Sequence, residues 1–292
     1  MKPPPFTYHA PASVADALDL LREHSDEAKV LAGGQSLVPM LNFRLVLPTH
    51  LVDINELPDL DTPTRSEHGW RIPALVRQRA AERSPELAAT VPMLHAALTQ
   101  VAHPQIRNRG TICGSLAHAD PAAEMPTVMT ALDARMTIAS HAGTRVVGAD
   151  DFFVFHLTSA LEPDELLLAV EIPDPPPGTY TSFLEFAPRR GDFCLAAVAA
   201  SVTFDVNDTV SACRLVAAGV ASTPQRLTEA EAALTGTACR DADLAEAAAA
   251  ARREVSPTGD VHGDATYRRQ LVAVLTRRVL ADVRTKKEAD RV

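Results

Sequence analysis

Apolar residues recur along the chain at two spacings, and the changes between them mark its elements. Val14, Ala17, Leu18 and Leu21 share one face of a helix, and Ser13 with Asp16 three residues later resembles a capping box at its start. The short apolar run at 29–32 reads as a buried strand that passes straight into Gly33-Gly34. Further strands are expected at 51–54 and 70–75. Ser84-Pro85 opens a helix with proline at the first helical position, and Leu94, Ala97, Leu98 and Val101 carry one or two helices to about 102. From His103 to Pro126 the periodicity lapses into Gly, Pro, Asn, Asp and His. So long a stretch without a clear element is usually functional. The pattern resumes with a helix at 124–132 and strands at 135–139, 144–147 and 166–172.

Pro173-Asp174-Pro175-Pro176-Pro177-Gly178 breaks any regular element and predicts a domain boundary. Beyond it, 181–186, 196–204 and 212–220 read as three strands. Helices follow at 227–235, 241–252 and 264–284, the last with Leu271, Leu275, Val279 and Val283 four residues apart. The expectation is an α+β chain: a first domain at 1–176, a second at 177–286 with a three-stranded antiparallel sheet and helices, and a tail at 287–292. Lys286-Lys287 is expected to lie in solvent, and Asp150-Asp151 and Asp241 with Asp243 to mark helix starts or a solvated surface.

Composition narrows the classes. The 292 residues carry a formal charge of −9, which argues against a nucleic-acid partner. No apolar run approaches the roughly 18–20 residues of a membrane span. The opening residues lack a hydrophobic signal segment, so a cytoplasmic setting is expected. The cysteines, Cys113, Cys194, Cys213 and Cys239, are scattered, with no pair within three residues. Iron–sulfur and structural zinc sites usually draw on close pairs, so no metal site is expected here, and the thiols read as reduced.

Two constellations carry chemistry. In Ala32-Gly33-Gly34-Gln35-Ser36-Leu37 a strand ends on two glycines. Backbone N–H groups in such a turn can converge as an anion nest, and Ser36 adds a hydroxyl; a plain strand-to-helix turn is the blander alternative. The segment is neither a G-x-G-x-x-G nor a Walker A loop. The second constellation, Arg107-Asn108-Arg109-Gly110-Thr111-Ile112-Cys113-Gly114-Ser115, again offers glycines and hydroxyls. It continues through His118 and Asp120, whose carboxylate suits sugar or chain hydroxyls. Two such loops would clamp one diphosphate from two sides.

Together these segments resemble the flavin-binding loops of the medium subunit of molybdenum hydroxylases, the family of the carbon monoxide dehydrogenase medium chain and the xanthine dehydrogenase flavin domain. The family pattern reads A-G-G-x-S-L, then R-N-x-G-T-I-G-G-N/S-L-A-x-A-x-P-A-A-[DE]. Segments 5–11, 51–55, 164–167, 190–193 and 267–271 extend the resemblance over nearly the whole chain. It implies an FAD domain of the vanillyl-alcohol-oxidase (PCMH) type, with two α/β subdomains at about 1–57 and 58–176, followed by the C-terminal α+β domain. It implies FAD held by Leu31, Ala32, Gly33, Gly34, Gln35, Ser36 and Leu37 on one side, and by Thr111, Cys113, Gly114 and Ser115 on the other. His118 and Asp120 would serve the ligand's polar groups, and Leu167 and Phe193 would lie near its rings.

The implied role is electron transfer. A molybdopterin-binding large subunit oxidises substrate, a small subunit with two [2Fe–2S] clusters relays electrons, and FAD on this chain passes them to an external acceptor. No acid or base catalyst is implied. Three positions depart from the pattern: Cys113 replaces a glycine, Gln35 a frequent histidine, and Glu185 a frequent lysine. Cys113 would be strained if its position required a left-handed backbone, and Glu185 would repel a diphosphate or reduced flavin. Cys113 and Glu185 give weight to an alternative, a stand-alone FAD oxidoreductase acting on a small organic molecule. A scaffold that has lost FAD is a third reading, opposed by the intact Gly33, Gly34, Thr111, Gly114 and Asp120.

Overall fold

A computed structural model describes residues 2–290. The first unit is a three-stranded parallel sheet in which His50–Asp53 lies between Thr7–His9 and Ala28–Leu31. Helix Val14–His24 covers it, started by the Ser13 hydroxyl, which accepts the Asp16 N–H at 3.1 Å. Its buried face, Ala17, Leu18 and Leu21, packs with Val52 and Ile54 and with Leu75 and Leu166 of the next unit. The glycine loop therefore starts from the carboxyl end of Ala28–Leu31, where backbone groups of a parallel sheet are free to meet a ligand.

The second unit is a five-stranded antiparallel sheet, ordered Thr64–Ser66, Gly69–Pro73, Leu166–Pro173, Arg135–Ser140, Gly143–Gly148. Short helices pack on it, including Pro85–Thr90, Pro92–Leu98 and Glu124–Ala131. The stretch from His103 onward is more regular than its composition suggested. It holds helices Pro104–Arg107 and Ile112–His118. The first is too short to show an apolar period and is opened by its proline; the second buries Ile112 and Leu116 four apart, and the Thr111 hydroxyl accepts the Gly114 N–H at 2.9 Å at its start.

The third unit differs from expectation in its sheet. Thr179–Phe186, Ala196–Phe204 and Val210–Ala218 are joined by a fourth strand, Gln225–Arg226. Two residues are too few to leave an alternating pattern in the sequence. Helices Thr228–Leu234, Asp241–Glu254 and Ala265–Ala289 cover the outer face. The last helix runs past the expected start of the tail. Lys287 is held in it, its ammonium 4.0 Å from the Phe204 ring centre and 3.1 Å from an Asp208 carboxylate oxygen. That correction has a physical cause, since cation–π and ion-pair contacts secure a turn with no apolar face. Residues 291–292 lie outside the described residues.

Strand Ala196–Phe204 alternates between two cores. Ala197 and Ala199 face the core of the first domain, while Val198, Ala200 and Val202 face the C-terminal helices. Among the described residues no helix is long and apolar enough to cross a membrane.

Candidate functional site

The two glycine constellations meet. A Cβ placed on Gly33 would lie 2.4 Å from the Arg109 carbonyl oxygen and 2.8 Å from Gly110 Cα. Gly33 therefore allows main chain to touch main chain. Gly34 has φ +72°, a conformation that suits glycine. The loop then turns into helix Leu37–Asn42, and Gln35 folds back so that its Nε2 donates to the Gly33 carbonyl at 3.0 Å. Leu31 and Ala32 lead into the turn half-buried, and Ser36 and Leu37 leave it half-buried.

Two side chains not foreseen from sequence brace this junction. Asn55 Nδ2 donates to the Ala32 carbonyl at 2.9 Å and to Asp53. Arg77 donates to Asn55 Oδ1 at 2.7 Å and to the Arg109 carbonyl at 2.6 Å. Arg77 thus latches one loop to the other. Asn55 stood at a strand end beside Asp53, a weak turn signal; Arg77 carried no signal at all. The second loop is laced to the sheet by Gln78 N–H donating to the Gly110 carbonyl at 2.8 Å and Ile112 N–H to the Val76 carbonyl at 3.3 Å.

The junction carries two guanidiniums, with the Asp53 and Asp61 carboxylates acting on Arg77 from nearby. Burial, then the nearby Arg109 guanidinium, pull Arg77 below its ordinary pKa. Arg109 is exposed and makes no side-chain hydrogen bond or ion pair among the described residues. Two cations crowded at converging glycine loops, in a chain of net charge −9, fit a diphosphate. Arg107, by contrast, is structural. It is buried, with a two-bond fork onto Glu82 at 2.8 and 3.2 Å and bonds to the Val101 and Ala102 carbonyls.

Cys113 lies in helix Ile112–His118 with ordinary backbone, so the expected strain is absent. Its side chain is 2% exposed and points into the core, Sγ 3.5 Å from the Ile72 carbonyl, and burial pushes the thiol up to about 12. The side chain offers a ligand nothing; that position can contribute only its backbone N–H. Leu167 is likewise enclosed in the main core.

At its far end the same helix reaches a second feature. Seven residues span about 10 Å. Half-buried His118 ends the helix, pulled down chiefly by burial, then raised by Asp120 and lowered by His156. Asp120 follows, one carboxylate oxygen accepting the Ala122 N–H at 2.9 Å. Asp120 opens onto a cleft of about 730 Å³ between the two domains, which Phe193, His156, Asp192 and Arg268 also line. Phe193 is 64% exposed there. Arg268 closes the cleft floor, donating to the Leu195 and Gly219 carbonyls at 2.6 and 2.9 Å and to Asp260 at 2.6 Å.

A family profile described as the FAD binding domain in molybdopterin dehydrogenase matches residues 4–175. The chain belongs to this family. A second profile, the CO dehydrogenase flavoprotein C-terminal domain, matches residues 181–283 of this FAD-binding chain. It is 43% identical over 281 residues to 6-hydroxypseudooxynicotine dehydrogenase complex subunit alpha of Paenarthrobacter nicotinovorans, covering 96% of this chain and 95% of that one. It is 37% identical to the carbon monoxide dehydrogenase medium chain of Afipia carboxidovorans, covering 96% and 97%. Among solved structures it resembles carbon monoxide dehydrogenase of Hydrogenophaga pseudoflava, with TM-score 0.94, 35% identity, and 98% and 99% of the chains covered. Quinoline 2-oxidoreductase from Pseudomonas putida 86 matches with TM-score 0.92, 38% identity, and 98% and 99% covered.

The expected repulsion at Glu185 is softened by its surroundings. Burial raises this carboxyl to about 7, and one oxygen has no hydrogen-bond partner. Glu124 is raised to about 8 by burial and then by Glu185. Near neutral pH Glu124 stays mostly protonated and Glu185 partly so, where exposed carboxylates would be ionised.

Proposed function

We propose that this chain is the FAD-carrying electron-transfer subunit of a molybdopterin-dependent dehydrogenase. The observation that carries this reading is the loop junction, where two glycine turns touch beside the Arg77 and Arg109 guanidiniums. The diphosphate lies against the backbone of 31–37 and 111–115, where Gly33 lets the two loops touch and Gly34, Thr111, Gly114 and Ser115 offer main-chain or hydroxyl groups. The Ser36 hydroxyl, which has no hydrogen bond among the described residues, and Arg109 bind it. Asp120 holds hydroxyl groups, neutral His118 offers a ring nitrogen, and Phe193 packs against the ring system in the cleft. Leu167 supports that region from within the core. When bound, FAD supplies the redox chemistry, and the protein supplies position and electrostatics.

The first domain, about 1–176, is assigned to the PCMH type, with the parallel sheet and the five-stranded sheet as its two subdomains. The second domain is taken as 177–286. The partners proposed are a molybdopterin-binding large subunit and a small subunit with two [2Fe–2S] clusters. An exposed apolar group beside the first loop, Val38, Phe43, Leu45 and Leu47, supports docking there. The four free thiols suit the cytoplasm. The stand-alone alternative loses the support it drew from Cys113, since a buried thiol at about 12 is not a nucleophile.

Purification of the chain from its source cells tests the proposal. The expected product is yellow, releases FAD on denaturation, and carries molybdopterin and iron–sulfur polypeptides with it. A chain that stays colourless after FAD addition overturns the flavin site. A yellow chain that comes alone and oxidises an organic substrate overturns the subunit role.

A further inference from the structure

Three imidazoles converge along the outer strand of the first sheet. His9 closes strand Thr7–His9, His24 closes helix Val14–His24, and His50 opens strand His50–Asp53. One ring nitrogen from each lies within 4.8 Å of one from each of the others. His9 Nε2 and His50 Nδ1 are 2.9 Å apart, and the rings of His24 and His50 stack with centroids 3.5 Å apart. All three are half-buried, and none forms an ion pair with a carboxylate among the described residues.

Two imidazole lone pairs cannot face each other at that distance unless a proton or a cation lies between them. Neutral imidazole is the form that binds metal. His24 is the last residue of its helix, where the backbone dipole favours positive charge.

We infer that His9, His24 and His50 form a three-imidazole site for a divalent transition metal of the zinc type, with water in the fourth position. Zinc–nitrogen bonds of about 2.0–2.1 Å place tetrahedral ligands about 3.4 Å apart. One separation, 2.9 Å, is shorter than that value and all lie within 4.8 Å; the rings, 13–29° from parallel, must unstack to turn their nitrogens toward one ion. Calcium and magnesium prefer oxygen ligands and are disfavoured. The metal would tie together three segments, including a three-residue parallel strand that is weak alone. Ala28 pairs with His50, and His9 pairs with Val52, level with Val30 but two strands away from it, about 10 Å across the sheet, so none of the three imidazoles belongs to the glycine turn. Loading this site therefore leaves flavin binding unchanged.

The experiment uses the full, tag-free, FAD-loaded chain, titrated calorimetrically with Zn²⁺ and spectroscopically with Co²⁺. One ion per chain is expected, with visible Co²⁺ bands of a four-coordinate centre. His24→Ala or His50→Ala should weaken binding at least about tenfold, since even outer partners of metal ligands cost that much. Zn²⁺ should raise the melting temperature of the wild type and not of the triple alanine variant, with equal flavin content in both. Absence of saturable binding, or binding unchanged in either single variant, overturns the site. Neither result bears on the flavin, whose content is read separately.

Discussion

Single atoms decide what the loops tolerate. Gly33→Ala places a methyl 2.4 Å from the Arg109 carbonyl, so the loops must separate. The expected outcome is an overpacking cost of about 1–3 kcal/mol and loss of most bound FAD, read from the flavin absorbance per chain. Full FAD occupancy would contradict the clamp. Glu124 makes a second prediction. Its folded pKa, about 8, lies above the ordinary 4.5, so the folded chain binds the extra proton. That contribution is complete below pH 4.5 and is lost as pH rises through about 8. Glu124→Gln should match the wild type in stability near the lower limit. Above the upper limit it should exceed it by roughly 2–4 kcal/mol. Denaturant melts at the two pH values check this, and a gain of equal size at both would refute it.

At the scale of elements, the junction depends on parts drawn from three places: the turn after Ala28–Leu31, the turn before Ile112–His118, and Arg77 between them. Arg77→Leu leaves both glycine turns intact and removes the brace. FAD affinity should fall about 10–100-fold, the worth of one or two hydrogen bonds from a charged group, with little change in helix content by circular dichroism. Unaltered affinity would show that the loops hold themselves. The glycine turns were legible because their residues are adjacent in sequence and unusual in type. The brace was not, because Asn55 and Arg77 become partners only when two sheets dock. Apolar spacing revealed the long helices and strands. The four-residue helix Pro104–Arg107 and the two-residue strand Gln225–Arg226 span about one period each, too little for a pattern to repeat. Cys113 looked anomalous against the family motif. In the fold it is an ordinary core residue, since what matters there is helical backbone and a small side chain.

For the whole molecule, the proline-rich segment at 173–178 marks a change of sheet but not a break in packing. Strand Ala196–Phe204 belongs to two cores at once, and Arg214 reaches across to Asp133 and Asp150 at 3.1 and 2.6 Å. The two domains should therefore melt together. Trp70 is the sole tryptophan and sits in the five-stranded sheet, so its fluorescence follows the first domain, while far-ultraviolet dichroism follows the helices of both. Coincident transitions are expected; separated midpoints would show that the shared strand does not couple them.

The contact at Gly33 is between one main chain and another, and this limits how the site can change over generations. A clash between side chains can be relieved by a smaller neighbour. A methyl at position 33 meets the carbonyl of Arg109 and the Cα of Gly110, which every amino acid possesses. A suppressor screen against a residue-33 variant should thus return reversion to glycine, or loop insertions and deletions, rather than compensating substitutions in the second turn.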